Sequence, residues 1–356
     1  MESASHPVHA GSVLKLDRGT GSLPGWATWA VLGGSAAVVA TILLATGAFT
    51  VALTLVFGTM LSAIVLYAWS RAVEGPRRAM DRTMTLWIAA AFGLAMIPLF
   101  SLVFEVAKRG IPGLSAEFFT SDARGVVGGG GAAHAIVGTL VITAVATVIS
   151  VPIGIMAAIY LNEYGTGRLR RALTFFVDVM TGIPSIVAGL FAYALFELFF
   201  GPGIRLGVMG SVALSVLMIP IVIRSAEEVL KIVPNHLREA AYALGTPKWK
   251  VIARIVLPTA FAGLITGVMI AIARIVGETA PLLVTTGVVD SMNTDPFNGR
   301  MQNLAVYAYN EYRSPGVMKQ ASYDKAWAAA LTLIAIVMIL NVAARLVYRR
   351  YKTEIR

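Results

Sequence analysis

The stretch PNHLREAAYALGTPKWKVIARIVLP, residues 234–258, lies between two apolar segments of the chain. Its apolar residues recur at three- and four-residue spacing, which predicts a short amphipathic helix that ends at Gly245 before Thr246-Pro247. Those apolar residues are Leu237, Ala240, Ala241 and Leu244. A helix of this kind either anchors at a membrane interface or fits into a cleft of a partner protein. The spacing alone favours neither interpretation.

The chain on both sides of this stretch is apolar. Of its 356 residues 57% are hydrophobic and only 13% are charged, and the mean hydropathy is +0.75. These values exclude an ordinary soluble globular protein. A membrane span needs about 20 mostly apolar residues, and the windows without charge predict eight such helices. We therefore predict an all-α, polytopic membrane protein.

The eight predicted spans follow from the positions of the charged residues. Two fit into the charge-free interval between Arg18 and Arg71, with a turn near Gly47. The other windows are Thr83–Phe104, His134–Tyr160, Ala172–Phe200, Gly207–Ile223, Thr259–Thr286 and Ala326–Ala344. Residues 1–24 and 351–356 are expected to be terminal tails, the first of them flexible.

The basic residues predict the orientation of the chain. With eight spans both termini lie on one side, and 20 Lys and Arg residues fall on that side against eight on the other. Because cytoplasmic loops are enriched in Lys and Arg, both termini are predicted to be cytoplasmic. The net charge of +10 is then explained by basic loops that face anionic lipid, in preference to nucleic-acid binding.

Several functional classes lack their characteristic residues. The chain has no cysteine, and its four histidines are not at metal-ligand spacing, so we expect no cofactor or metal. A membrane enzyme would need a nucleophile with its base or a metal cluster, and a secondary transporter would need inverted repeats. Neither is visible. The chain also lacks a G-x-x-x-x-G-K-[ST] phosphate loop, so we expect a non-catalytic subunit whose ATP hydrolysis belongs to another chain.

The polar stretch carries a specific family motif. Glu239-Ala240-Ala241, Gly245 and Ile255-x-Leu257-Pro258 match the EAA loop of ABC importer permeases, EAA-x3-G-x9-I-x-L-P, at every position. The chain thus resembles this family, in which the loop forms the coupling helix that docks on the ATPase. The resemblance implies that Glu239, Ala240, Ala241 and Gly245 face such a partner.

Within that family the chain resembles the PstA type, the permeases of phosphate-specific importers. The strings HAIVGTLVITAVATVISVPIGIMAAIYLNEY, VDVMTGIPSIVAGLFAYALF and ITGVMIAIARIVGETAPLLVTTG carry the likeness, which covers roughly residues 84–350. It implies a six-helix type I importer domain at residues 83–350, in the plasma (inner) membrane of a bacterium or archaeon. Residues 25–82 are then an additional hairpin of two membrane helices with a basic loop.

The resemblance also implies partners and a substrate. These are inorganic phosphate, a second permease similar to PstC, an ATPase dimer similar to PstB and a phosphate-binding protein similar to PstS. The segments 108–133, with a short surface helix and a GGGG turn, and 287–325 are the expected docking surface for the binding protein. A permease for molybdate, tungstate or sulfate is the alternative, because the EAA loop reports the mechanism and not the cargo.

Charged residues inside apolar windows are candidates for the substrate pathway. Arg274 with Glu278, and Arg224 with Glu228, are each four residues apart on one helical face. Each pair is either an intrahelical ion pair that lowers the cost of burial or part of an anion path, where a guanidinium binds phosphate oxygens. In the PstA family the pathway arginines fall at the positions that match Arg224 and Arg274.

A further candidate is Thr181-Gly182-Ile183-Pro184-Ser185, which interrupts a predicted span. It is either a packing kink or a helix break at which the hydroxyls of Thr181 and Ser185 face the anion. Asp178, close by, is expected to pair with arginines of a loop.

Overall fold

A computed structural model of the chain describes residues 21–124 and 130–351. Within these residues the regular structure is helical throughout, which confirms the all-α prediction. Most of the predicted N-terminal tail, the first two glycines of the GGGG run and the C-terminal residues from 352 lie outside the described residues.

The described residues form 14 α-helices. The bounds of the first seven are α1 Ala27–Ala45, α2 Val51–Glu74, α3 Pro76–Gly110, α4 Ala116–Thr120, α5 Ala133–Ile159, α6 Gly167–Thr181 and α7 Ser185–Phe200. The remaining helices are α8 Gly207–Ile232, α9 Asn235–Ala243, α10 Lys248–Val251, α11 Leu257–Val276, α12 Ala280–Thr285, α13 Leu304–Arg313 and α14 Lys319–Tyr351. A 3-10 turn, Ile111–Gly113, follows α3, and π turns, Tyr160–Tyr164 and Ile252–Val256, follow α5 and α10.

Seven helical segments of the described residues are long and apolar enough to cross a membrane. An eighth is reached when α6 and α7 are counted together, but these helices are bent by 108° relative to each other. The span predicted over Ala172–Phe200 is therefore broken between Thr181 and Ser185, where the sequence predicted an interruption. Gly182 disfavours helix and Pro184 has no N–H to donate, so the chain turns sharply between the two helices. The 16 residues of α7 measure about 24 Å, which is shorter than the roughly 30 Å of a hydrocarbon core.

The span predicted over Thr259–Thr286 also has different limits. The helix runs without interruption from Lys248 through the π turn to Val276, and a separate helix, α12, starts at Ala280. Gly277 follows α11 directly, and Pro281 is the second residue of α12, a position at which a proline costs no hydrogen bond. The helix thus breaks at Gly277, four residues before Pro281. The apolar pattern alone did not reveal that Pro281 marks the start of a new helix.

The described residues up to Val103 form a first compact unit, with α1, α2 and most of α3. The chain turns between α1 and α2 at Gly47, as predicted. At the end of α2 the buried Glu74 carboxylate accepts hydrogen bonds from Leu23 N–H and Ser70 Oγ, each at 2.7 Å, and pairs with Arg82. This network ties the residues before α1 to α2 and α3, and it explains why an acid is buried in an apolar hairpin.

The second compact unit begins at Phe104 and is built around α8. Over half of the apolar window of α8 is buried, about twice the share of any other candidate span. Side chains from α5, α8, α11 and α12 form one buried cluster that includes Ile142, Met218, Ala271 and Leu282. The hydroxyl groups of Ser211 and Ser215 donate to the carbonyls of Ile142 and Ala146, one turn apart on α5. Small residues that hydrogen-bond between helices are a common means of holding membrane helices together.

Candidate functional site

Arg224 lies on α8 and joins two other positions of the second unit. Its Nη1 donates to Glu227 Oε2 at 3.0 Å, and its Nη2 donates to Asp178 Oδ1 on α6. Glu227 is buried, and it also pairs with Lys231 one turn further on. The guanidinium is therefore held between a buried acid of its own helix and an exposed acid of α6.

Two predictions about this arginine are wrong. Glu228, the predicted partner at i+4, is exposed, and the partner on the same helix is Glu227 at i+3. Asp178 pairs with Arg224 and not with arginines of a loop. The sequence contains Glu227 and Glu228 side by side, so spacing could not decide between them. The contact with Asp178 joins residues 46 positions apart and leaves no local signal.

The position of Arg274 follows from the packing of α11 on α8. A Cβ atom on Gly267 would lie 2.6 Å from Ser225 Oγ, and one on Gly263 would lie 2.6 Å from Val229 Cγ1. These two contacts show that the helices are antiparallel, and the same register places Arg274 level with Met218. Arg224 is six residues further along α8, so the two arginines are separated by about 9 Å along the helix axis.

Arg274 has no acidic partner among the described residues. Its side chain is exposed, two residues before the end of α11 at Val276, and Glu278 lies beyond that end. Of the two interpretations of this spacing, the intrahelical ion pair is therefore wrong, because Gly277 ends the helix before Glu278 can occupy the same face. The backbone of Glu278 is held instead, since its N–H donates to the Ile275 carbonyl and its own carbonyl accepts from Asn303 Nδ2.

The break between α6 and α7 begins three residues after Asp178, the partner of Arg224. Thr181 donates its hydroxyl to the Val177 carbonyl, whereas Ser185 is the first residue of α7 and has no side-chain hydrogen bond among the described residues. Gly189, one turn after Ser185, packs directly on Pro281, where a Cβ atom would lie 2.6 Å from the proline Cα. The α6–α7 break and the α11–α12 break thus flank one tight contact between α7 and α12.

The EAA stretch folds into α9 as the spacing predicts. The helix ends in a Schellman motif in which Gly245 N–H donates to the Tyr242 carbonyl and Thr246 N–H donates to the Ala241 carbonyl. Glu239, Ala240 and Gly245 are exposed, and Leu244 is 85% exposed. Tyr242 and Trp249 of the same stretch are also exposed, and several exposed apolar side chains in one short stretch are typical of a surface that a partner covers.

Ala241 differs from the other residues of the motif. Only 6% of its surface is exposed, and it packs in a cluster with Ala158, Leu230 and Val251 of the same chain. The expectation that Ala241 faces a partner is therefore wrong for this residue. Its small side chain instead allows α9 to lie close against the ends of α5 and α8.

Arg238 fastens α9 to the rest of the second unit. Its guanidinium pairs with Glu163 at 2.9 Å and donates to the carbonyls of Leu230 and Val233, at the end of α8. Lys248 adds a hydrogen bond to the Glu163 carbonyl and lies 4.8 Å from the centre of the Tyr164 ring. Glu163 and Tyr164 belong to the π turn after α5, and π turns often occur at functional sites. This connection leaves no local signal in the sequence, because Glu163 and Arg238 are 75 positions apart.

Substitution of Gly245 tests whether α9 needs its left-handed end. The φ of Gly245 is +75°, and open space surrounds its Cα, so Gly245→Ala costs about 1 kcal/mol through backbone strain alone. Gly245→Asn is expected to cost less, because asparagine tolerates this conformation. The thermal midpoint of the purified chain should fall in the order Gly, Asn, Ala. Equal midpoints for alanine and glycine would contradict this account.

Comparisons with known proteins identify the family to which the motif of α9 points. Residues 150–353 match the model of the family described as binding-protein-dependent transport system inner membrane component. A protein of Mycobacterium tuberculosis (strain CDC 1551 / Oshkosh), phosphate transport system permease protein PstA 1, is 44% identical over 275 residues, which cover 76% of this chain and 89% of the relative. The PstA protein of Yersinia pestis is 40% identical over 282 residues, which cover 78% and 92%.

A solved structure shares the fold. The bacterial alginate ABC transporter, solved in complex with an alginate-bound periplasmic protein, superposes with a TM-score of 0.56 at 15% sequence identity. The superposition covers 78% of this chain and 98% of the matched chain. With the motif of α9 and the family match, these likenesses lead to one assignment. The chain belongs to the binding-protein-dependent transport system inner membrane components, and among them to the PstA permeases of phosphate transport systems.

Proposed function

We propose that this chain is a transmembrane permease subunit of an ATP-driven importer of inorganic phosphate. It forms half of the translocation pathway and couples to a separate ATPase through its EAA loop. The environment of Arg274 is the main observation that supports the proposal. This residue is a permanently charged guanidinium on the exposed face of an apolar helix, without an acidic partner among the described residues, in a chain 44% identical to a phosphate permease.

An unpaired guanidinium is costly in a membrane unless something other than lipid faces it. A tetrahedral oxyanion that passes through the centre of the complex supplies two oxygens to the planar fork of an arginine. In this proposal Arg274 faces the pathway and the second permease, and the hydroxyl of Ser185 and the backbone of Glu278 lie near the same path.

Arg224 has a different role in the proposal, because it already has acidic partners. Asp178 is exposed, so an arriving anion competes with its carboxylate for Nη2, while the buried Glu227 keeps the guanidinium in place. Such an exchange of partners keeps binding weak enough for release. It replaces the exchange with Glu228 and Glu278 that the sequence suggested.

The coupling surface consists of Glu239, Ala240, Leu244 and Gly245, which we propose to dock on an ATPase dimer similar to PstB. A second permease similar to PstC completes the pathway, and a phosphate-binding protein similar to PstS delivers the anion. Both termini then lie in the cytoplasm, in agreement with the excess of basic residues on that side. Residues 25–82 are proposed as an addition to the permease domain, residues 83–350.

Uptake by the whole complex in proteoliposomes tests the proposal. We expect ATP-dependent uptake of labelled phosphate, and little uptake of labelled sulfate or molybdate under the same conditions. Liposomes that lack the ATPase subunit are the control for passive leakage. Preferential uptake of molybdate, tungstate or sulfate would replace phosphate as the substrate, and uptake without the ATPase would contradict the coupling.

A further inference from the structure

Two arginines that the mechanism has not used meet at Gly287, two residues beyond α12. A Cβ atom on Gly287 would lie 2.9 Å from Arg205 Cδ and 3.3 Å from Arg300 Cδ, so the two Cδ atoms are no more than about 6 Å apart. The φ of Gly287 is +75°, a conformation that side chains other than glycine rarely adopt. Both the space and the backbone at this position therefore require glycine, and the two arginine stems pack against it.

The backbone around the pair is held in place. Met301 N–H donates to the Thr286 carbonyl, which fixes the residue after Arg300 beside the residue before Gly287. The Arg300 carbonyl accepts from Asn293 Nδ2 at 2.9 Å. On the other side, Arg205 Nη1 donates to the Leu283 carbonyl of α12 at 3.2 Å. Hydrogen bonds thus hold the backbone of the loop that carries Arg300, and the Arg205 guanidinium is held on α12.

The charge of this pair is not balanced by the described residues. Neither arginine has a carboxylate within ion-pair distance in the part of the chain that the structure describes. Residues 125–129, the internal segment between the described ranges, read GVVGG and contain no acid. The hydrogen bond to Leu283 uses only one of the five N–H donors of Arg205, and Arg300 donates no side-chain hydrogen bond to the described residues. Two cationic side chains whose stems meet at Gly287, without a carboxylate partner among the described residues, favour the binding of an anion.

We propose that Arg205 and Arg300 form a binding site for a tetrahedral oxyanion at the end of the bundle where α7, α12 and α13 have their outer loops. The inference rests on the proposed function, because it gives the carried anion a first contact before Arg274. Gly287 is 13 residues beyond Arg274, on the side that the basic residues predict to be extracytoplasmic. Two planar guanidinium groups offer an oxyanion more than one bidentate contact, and a chloride ion offers no matching geometry.

Chemical modification of the intact complex tests the site directly. Phenylglyoxal modifies accessible arginines, and mass spectrometry reports the rate at each residue. At a phosphate concentration about ten times its Kd, modification of Arg300 and Arg205 should slow about tenfold, because only the free site reacts. Arg313, an exposed arginine that lies over the Tyr309 ring, is the internal control and should react at an unchanged rate. Equal protection by chloride at matched ionic strength would overturn the proposal.

Uptake by variants separates this site from a docking surface for the binding protein. With saturating phosphate-loaded binding protein, Arg205→Gln/Arg300→Gln should take up phosphate about a hundredfold more slowly, a difference that corresponds to one lost charge-assisted contact from each arginine. Gly287→Ala should slow uptake in the same direction, and Arg313→Gln should not. The concentration of binding protein that gives half-maximal uptake should stay unchanged in all variants.

Two outcomes would overturn the inference. Normal maximal uptake in the double variant would remove the site, and a raised half-maximal concentration of binding protein with normal maximal uptake would assign the arginines to docking. If phosphate is not the substrate of the complex, the experiments give a different result. The wild-type complex would then carry another oxyanion, and that anion, not phosphate, would protect Arg205 and Arg300 from modification.

Discussion

Replacement of Arg274 by glutamine is expected to lower ATP-dependent phosphate uptake about a hundredfold or more. Hydrogen bonds to a charged group contribute about 1.5–3 kcal/mol each, so the loss of a bidentate contact costs about 3–6 kcal/mol of interaction with the passing anion. Each 1.4 kcal/mol corresponds to about a factor of ten in rate. The measurement is the initial rate of labelled phosphate uptake by the whole complex in proteoliposomes.

Three further variants are compared with Arg274→Gln to interpret that result. Arg274→Lys keeps the charge but loses the planar fork, so its uptake should lie between those of wild type and Arg274→Gln. Glu278→Gln should have a small effect, since this carboxylate does not pair with Arg274 in the structure. Arg345→Gln removes another exposed arginine near the end of α14 and should leave uptake normal. Equal amounts of assembled complex must be confirmed for each variant.

The same series can disprove the role of Arg274. Near-normal uptake in Arg274→Gln would mean that the guanidinium faces lipid headgroups or a partner and not the anion. Full activity in Arg274→Lys would mean that charge alone suffices, and the bidentate contact would have to be abandoned. A loss of assembled complex in Arg274→Gln but not in Arg345→Gln would assign Arg274 to subunit packing.

Charge-free windows predicted eight spans, seven of which correspond to unbroken helical segments of the described residues, and the turn at Gly47, because the cost of burying charge in lipid acts on every residue of a span. The same windows could not find the two breaks. Only two charged residues fall between Ala172 and Phe200, and only two between Thr259 and Thr286, so hydropathy alone does not locate either break. The residues that break the helices were visible in the sequence, as Gly182 with Pro184 and Gly277 with Pro281, and their turn chemistry prevails over the apolar pattern.

The candidate site shows where spacing stops being informative. The end of α9 at Gly245 follows from local rules, and the structure has it as predicted. The partners of Arg224 do not follow from local rules. Asp178 belongs to another helix, and Glu227 at i+3 and Glu228 at i+4 lie on nearly the same face of α8, so spacing cannot decide between them. The burial of Ala241 likewise depends on how α9 packs against α5 and α8. That packing cannot be predicted from the nine residues of α9 alone.

The link between α9 and the membrane helices is expected to depend on the ion pair of Arg238 and Glu163. Their side chains are only 12% and 6% exposed, so removing one partner leaves a buried charge and costs about 3–5 kcal/mol. Glu163→Gln should therefore loosen α9 from the π turn after α5, while the outer face of α9, with Glu239 and Leu244, stays intact. Binding of the ATPase is then retained, but the movement of the ATPase is transmitted only in part to α5 and α8.

The readout for this link is the number of phosphate ions taken up per ATP hydrolysed, which a general loss of folded protein does not change. That ratio should fall severalfold in Glu163→Gln and recover in part in Glu163→Gln/Arg238→Gln, because the double variant no longer buries an unpaired charge. Glu105→Gln breaks the exposed pair with Arg109, which is worth at most about 1 kcal/mol, and should leave the ratio unchanged. An unchanged ratio in Glu163→Gln, together with a lower thermal midpoint, would mean that the pair holds the fold but transmits no movement. Loss of ATPase binding in the same variant would place Glu163 in the docking of the motor itself, since α9 would then need its inner contacts to form its outer surface.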